Sequence, residues 1–226
     1  MITPNPTWHT PLNVYWHLKK LTDEVGAEAI ERERKYQLVR EARVGAVVAL
    51  SMFRRMGKPS YIQLFKPDPP DVILMQQNMS TGERDITQLE ITTFLTDTKE
   101  PLVDLIKRKD PPGTHKYSDN YIVVVNIGKN LTVDYNPSRD YLNQNDAPFP
   151  VWAVQETSAH PDTIAKVTII NPEIHEMEIN LGEAAHTLNQ VEPFGVIHSK
   201  RTGNPLLVRA EMAEKNYAAP WETIGR

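Results

Sequence analysis

Two acidic side chains sit inside otherwise apolar, strand-like runs. Pro70-Asp71-Val72-Ile73-Leu74-Met75 carries the first, and Leu89-Glu90-Ile91-Thr92-Thr93-Phe94, beginning fourteen residues after Met75, carries the second. A carboxylate in such a run is costly to bury without compensation. Two on neighbouring strands repel each other and favour protonation unless a divalent cation or a fixed donor lies between them. A metal site is therefore the reading to test. The competing reading puts each acid at a strand end facing water, the commoner fate of a single Asp or Glu. Strand alternation sends Gln88, Glu90 and Thr92 to one face, a row polar enough to line a site, and turns Leu89, Ile91 and Thr93 to the other.

Other chemistries find less support. The chain has no cysteine, which excludes disulfides, thiolate zinc sites and a cysteine nucleophile. Its seven histidines never take a tight ligand spacing, and Gly26, Gly45, Gly57 and Gly82 stand too far apart for a phosphate-cradling loop. Ser51 lacks the flanking glycines of a nucleophile elbow. Trp8, Trp16, Trp152 and Trp221 read more readily as core or interface residues than as base-stacking platforms.

The elements that must position the acids follow from periodicity and breakers. A Pro-rich arm over residues 1–10 precedes a short helix around Leu12 to Leu21. Asp23 is a candidate N-cap for a longer helix from about Val25 to Met56, in which Val44, Val47, Val48, Ser51 and Met52 form a buried stripe. Gly57 and Pro59 end it. Strands are expected at Tyr61 to Phe65, Asp71 to Met75 and Asp85 to Leu95, with residues 76–84 as the hairpin connection between the last two. A helix from about Glu100 to Lys109 has Leu102, Leu105 and Ile106 on its inner face and is stopped by Asp110-Pro111-Pro112-Gly113. Tyr121 to Ile127 is the pattern of a strand buried on both faces. Residues 128–148 read as a long polar surface loop. Strands at Val151 to Gln155 and Ala165 to Ile170, a short ambiguous run from Ile174 to Ile179, a helical turn at Gly182 to Leu188 and a terminal hairpin built from Phe194 to Ser199 and Leu206 to Glu211 complete the chain.

With 226 residues, 40% hydrophobic and 24% charged, the chain reads as one globular domain. The absence of a leader-like N-terminus and of a long apolar run points to a cytoplasmic protein with no membrane partner. A net charge of −4 argues against nonspecific coating of nucleic acid. Basic residues nevertheless cluster at Arg32 to Arg43, at Arg54, Arg55 and Lys58, and at Lys107, Arg108 and Lys109, so a basic groove on an acidic body is compatible with the sequence. Each cluster taken singly also reads as a solvated helix face or a helix C-terminus favoured by the macrodipole.

The order helix, strand, strand, strand, helix, strand, with acids at these stations, resembles the PD-(D/E)XK nuclease superfamily and its restriction endonuclease-like fold. The resemblance covers roughly Glu31 to Ile127, by order and spacing rather than identity. It implies an α/β three-layer core with a central mixed sheet flanked by helices over residues 25–180, followed by a β-rich C-terminal extension over 181–226. It implies that Pro70-Asp71 supplies the motif aspartate and that Glu90-Ile91-Thr92 supplies the acidic-x-Lys station. A third metal ligand is expected from the first core helix. Glu41 matches best, because Val44, Gly45 and Val48 fall at helical spacing from it, and Glu33 is the second choice. Glu41, Asp71 and Glu90 would then hold Mg2+ or Mn2+, with nucleic acid, DNA foremost, as the partner.

One departure is chemical: Thr92 stands where the family has lysine. Threonine can hydrogen-bond a water but brings no charge, so either another cation substitutes or catalysis has been lost. Lys66, Lys99 and Lys107 are the substitutes to examine, Lys66 first. The resemblance therefore leaves a magnesium-dependent nuclease, with Asp71, Glu90, Thr92 and Lys66 at its active site, beside a noncatalytic relative that binds nucleic acid or assembles with other proteins. An unrelated α/β protein with an accidental motif is the third reading. Cutting both strands of a duplex calls for two active sites, which allows a homodimer, although no dimer face stands out.

Overall fold

A computed structural model describes residues 8–57, 60–64, 70–77, 84–94, 100–110, 117–157, 164–191, 194–198, 205–209 and 221. The chain opens with α1 (Pro11–Val25), whose N-cap Thr10 accepts the Asn13 N–H and whose first position is proline, a residue preorganised for that place. Asp23 thus lies inside this helix rather than capping the next one. The expected long helix is broken at its start. Gly26, at φ 82°, ends α1, a short α2 (Ala27–Arg32) and a 3-10 turn (Arg34–Tyr36) follow, and α3 (Gln37–Met56) runs uninterrupted to Gly57 at φ 69°. A positive φ suits glycine at both helix ends, and at Gly57 the conformation is left-handed helical.

Seven strands form one mixed sheet in sequence order: β1 (Ser60–Leu64), β2 (Val72–Gln77), β3 (Arg84–Phe94), β4 (Tyr121–Ile127), β5 (Val151–Glu156), β6 (Ile164–Ile169) and β7 (His175–Asn180). The first three pair antiparallel as a meander. β3, β4 and β5 are parallel, and β6 and β7 return antiparallel. The parallel pair β3 and β4 requires a crossover, which α4 (Leu102–Lys109) provides. A second helix, α5 (Asn136–Gln144), lies in the stretch expected as loop and buries Leu142 and Ser138. Its composition is polar because few of its residues face the core. The sheet is followed by α6 (Leu181–Val191) and a separate two-stranded hairpin of β8 (Phe194–His198) and β9 (Pro205–Arg209).

Both faces of the sheet are covered, so its strands are apolar on both sides where they lie centrally. On one face α1, α3 and α6 pack against Val72, Leu74, Leu89, Ile122 and Val124. On the other, Leu102, Leu105 and Ile106 of α4 and Leu142 of α5 pack against Phe94, Val123, Val125 and Ala153. Gly45 is what lets α3 approach closely: a Cβ there would stand 3.0 Å from Val72 Cγ1. Among the described residues no helix is long and apolar enough to cross a membrane.

Candidate active site

β2 begins immediately after the first acid, Asp71. The register pairing Val72 with Leu89 puts Asp71 across from Glu90, and two hydrogen bonds hold it there. The Asp71 N–H donates to the Leu89 carbonyl at 3.0 Å, and Asp71 Oδ2 accepts the Ile91 N–H at 2.6 Å. These bonds bracket Glu90 on β3. Beyond Leu89, β3 has no paired β2 residue and continues against β4 alone, so Asp71 sits at a corner where an edge of β3 opens.

Glu90 alternates with Leu89 and Ile91, and therefore faces α4 rather than α3. It is 4% exposed. Lys109, the last residue of α4, places its ammonium 3.0 Å from Glu90 Oε1. A lysine is favoured at a helix C-terminus by the macrodipole. Beside the pair lies the buried Tyr117, whose ring packs edge-on against Phe149. Burial first, and then the charge of Glu90, push the Tyr117 phenol well above its ordinary pKa, with Lys109 acting in the opposite sense. The hydroxyl thus keeps its proton and remains a donor next to the carboxylate.

Glu41 belongs to the other face. It is buried on α3, accepts the Gln37 Nε2 amide at 2.7 Å, and lines a cavity of about 270 Å3 together with Arg40, Thr92, Thr93 and Asn126. The expected three-acid metal set is not formed: among the described residues no group of three His, Cys, Asp or Glu is placed to hold an ion. The reason is the sheet between them, since Glu41 descends from α3 while Glu90 turns to α4. Neither Glu33, the second choice, nor the nearby Glu31 takes its place. Glu33 pairs with Lys35 at the surface, and Glu31 pairs with Arg43 at 2.6 Å. Arg43 is itself buried, and its Nε reaches the buried Glu156 on β5 at 2.5 Å.

Of the expected substitute cations, Lys66 and Lys99 lie outside the described residues. Lys107 is engaged by Asp104 at 3.2 Å and lies over the Tyr141 ring, so it does not serve Glu90. Lys109 does, and its sequence signal was available. It follows Leu102, Leu105 and Ile106 at the i+7 station of the same inner stripe, a lysine on an apolar helix face. Asp71 and Glu90 are the two acids that the register brings opposite each other; Asp71 accepts the Ile91 N–H and Glu90 holds Lys109. Comparison with known proteins found no matching family model, no matching curated protein and no matching solved structure.

Proposed function

We propose that the chain is a metal-dependent nuclease with a restriction endonuclease-like core, in which Lys109 takes the role that Thr92 cannot. The order α3, β1, β2, β3, α4, β4, with an antiparallel meander and a parallel fourth strand, supports the fold part of this reading. The observation that carries the chemical part is the buried Glu90 across from Asp71, with the Lys109 ammonium on one carboxylate oxygen and the Tyr117 hydroxyl beside it.

Asp71 and Glu90 are the residues that would hold magnesium. A bound magnesium would place positive charge at the phosphate oxygens and acidify a water. Lys109 contributes a fixed cation where negative charge grows on the phosphate, which acts most strongly in a site as dry as the one around Glu90. The protonated Tyr117 hydroxyl donates to the Glu90 carboxylate and orients it. Exposed Arg108 and Lys107, on the same helix end, offer charge to flanking phosphates of a DNA strand.

A specific observation favours the second reading, a noncatalytic nucleic-acid-binding or assembly module. Both acids already serve the fold, Asp71 by receiving the Ile91 N–H and Glu90 by pairing with Lys109. Incubation of the full chain with single-stranded DNA, double-stranded DNA and RNA in magnesium or manganese separates the two. Cleavage that needs the metal and disappears in Glu90→Ala is the expected result. Cleavage unchanged in Glu90→Ala refutes the site, and the absence of cleavage on all three substrates selects the noncatalytic module.

A further inference from the structure

A groove of about 520 Å3 lies on the sheet face that α3 and α6 cover, away from the face on which Glu90 meets Lys109. Its floor is apolar. Leu50 and Ile179 are buried in the core, and Phe53 and Ala184 are partly buried against it. The volume is that of a small-ligand site, whose usual make-up is an apolar lining with a few placed polar groups. The chemistry proposed for Glu90 makes no use of it.

The placed groups are two opposite charges on different walls. Arg54, in the last turn of α3, is exposed yet held: its Nη1 donates to the Glu178 carbonyl of the edge strand β7 at 2.6 Å. A guanidinium has five N–H donors, and those outside this bond have no partner among the described residues. Glu183, in the first turn of α6, forms the other wall. Asn180 Oδ1 accepts its backbone N–H, while its carboxylate has no hydrogen bond or ion pair among the described residues. Glu178 adds no second carboxylate, because Ile179 packs on the α3 side and strand alternation turns the Glu178 side chain the other way. The groove thus keeps one cation and one anion apart over an apolar floor.

A ligand complementary to this arrangement is a zwitterion with separated charges and an apolar body. An amino acid carries both charges on one carbon. An extended dipeptide sets its ammonium and carboxylate about 7 Å apart and turns two side chains to the floor. We propose that the groove binds a short apolar peptide by both of its free termini, the carboxylate on Arg54 and the ammonium on Glu183. Because β7 already fixes Arg54, little side-chain freedom is lost when a carboxylate docks on its planar fork. The site does not rest on the nucleic-acid reading and gives the chain a second class of ligand.

Titration calorimetry on the full chain with leucyl-leucine tests this. Leucyl-leucine should bind about tenfold or more tightly than its N-acetylated form or its C-terminal amide, each of which lacks one charge. Glycyl-glycine, which keeps the charges and lacks the apolar body, should fall behind it as well. Glu183→Gln should erase the penalty for acetylation and Arg54→Met the penalty for amidation, a crossed pattern that a general loss of stability does not produce. Thr187→Trp, at an exposed position of α6 on the groove wall, should block leucyl-leucine altogether. Leucyl-leucine binding no more tightly than its blocked forms, or preferences that persist in Arg54→Met and Glu183→Gln, would overturn the proposal whatever the nucleic-acid assays return.

Discussion

Replacing Lys109 with methionine keeps most of the stem and removes the charge, and its consequences can be worked out from the pair. At 3.0 Å and an effective dielectric constant of roughly 20, the gross attraction to Glu90 is about 5 to 6 kcal/mol. Solvent takes back part of this, because the Lys109 side chain is 30% exposed although that of Glu90 is only 6% exposed. Cutting a fully buried pair costs about 3–5 kcal/mol and an exposed one at most about 1, so a loss of about 2–3 kcal/mol is expected here. For a chain of this size that is a fall of about 4–12 °C in the melting midpoint. The rate should suffer separately, by about a hundredfold to a thousandfold, the cost of removing one preorganised charge from a developing oxyanion. Calorimetry measures the first effect. Single-turnover cleavage in magnesium, run well below the lower melting midpoint, measures the second. A variant that melts early but cleaves within about threefold of the parent would show that Lys109 is only a counterion of Glu90, and the relocated-lysine argument would fall.

Two predictions concern the frame around the site. Arg43→Met should cost about 3–5 kcal/mol in urea unfolding, because it strands the buried Glu156 and releases Glu31, and adding Glu156→Gln should recover much of that; a loss below about 1 kcal/mol would mean that the triad behaves like a surface pair. His9 is buried, with its Nδ1 bonded to Asn13 Oδ1 and its Nε2 unpartnered, and burial first lowers its pKa to about 4, the Asn13 bond opposing and His17 assisting. The folded state therefore resists a proton that the unfolded chain accepts near 6.5, so this contribution is complete above about pH 6.5 and is lost as pH falls toward 4, about 3 kcal/mol in all. Melting midpoints measured across pH 4 to 7 should fall less steeply for His9→Leu than for the parent, and parallel slopes would contradict the assignment.

The meander and the fourth strand were legible in the sequence because β-branched runs bounded by Pro and Gly leave few alternatives. The opposition of Asp71 and Glu90 was legible for the same reason. The helix at Asn136–Gln144 was not, since only Leu142 and Ser138 face inward and its Asn and Asp content mimics a loop. The side of the sheet on which Glu90 works was hidden by burial on both faces. In a strand with one wet face, alternation would have told inside from outside, but here Leu89 and Glu90 are both buried, against different helices. Glu41 was correctly aimed at the sheet through Gly45 and Val48, yet the sheet face it meets is not the one that carries Glu90.

The station of Lys109 follows from dimensions that the chain sets itself. A crossover helix between parallel strands runs back along the strand it leaves, so the end of α4 must come to rest over the interior of β3. Its eight residues span about 12 Å, and the four steps from Phe94 back to Glu90 span about 13 Å. The last turn of the helix thus arrives level with the acid. Helical phase does the rest: Leu102, Leu105 and Ile106 fix the face turned to the sheet, and position 109 lies on it, whereas position 108, about 100° around the axis, points to solvent and pairs with Glu100. A lysine carried on β3 itself, at position 92, would be separated from Glu90 by about 7 Å of rigid strand. Carried on α4, it approaches the same carboxylate from above, and Thr92 is left to line the cavity at the strand end.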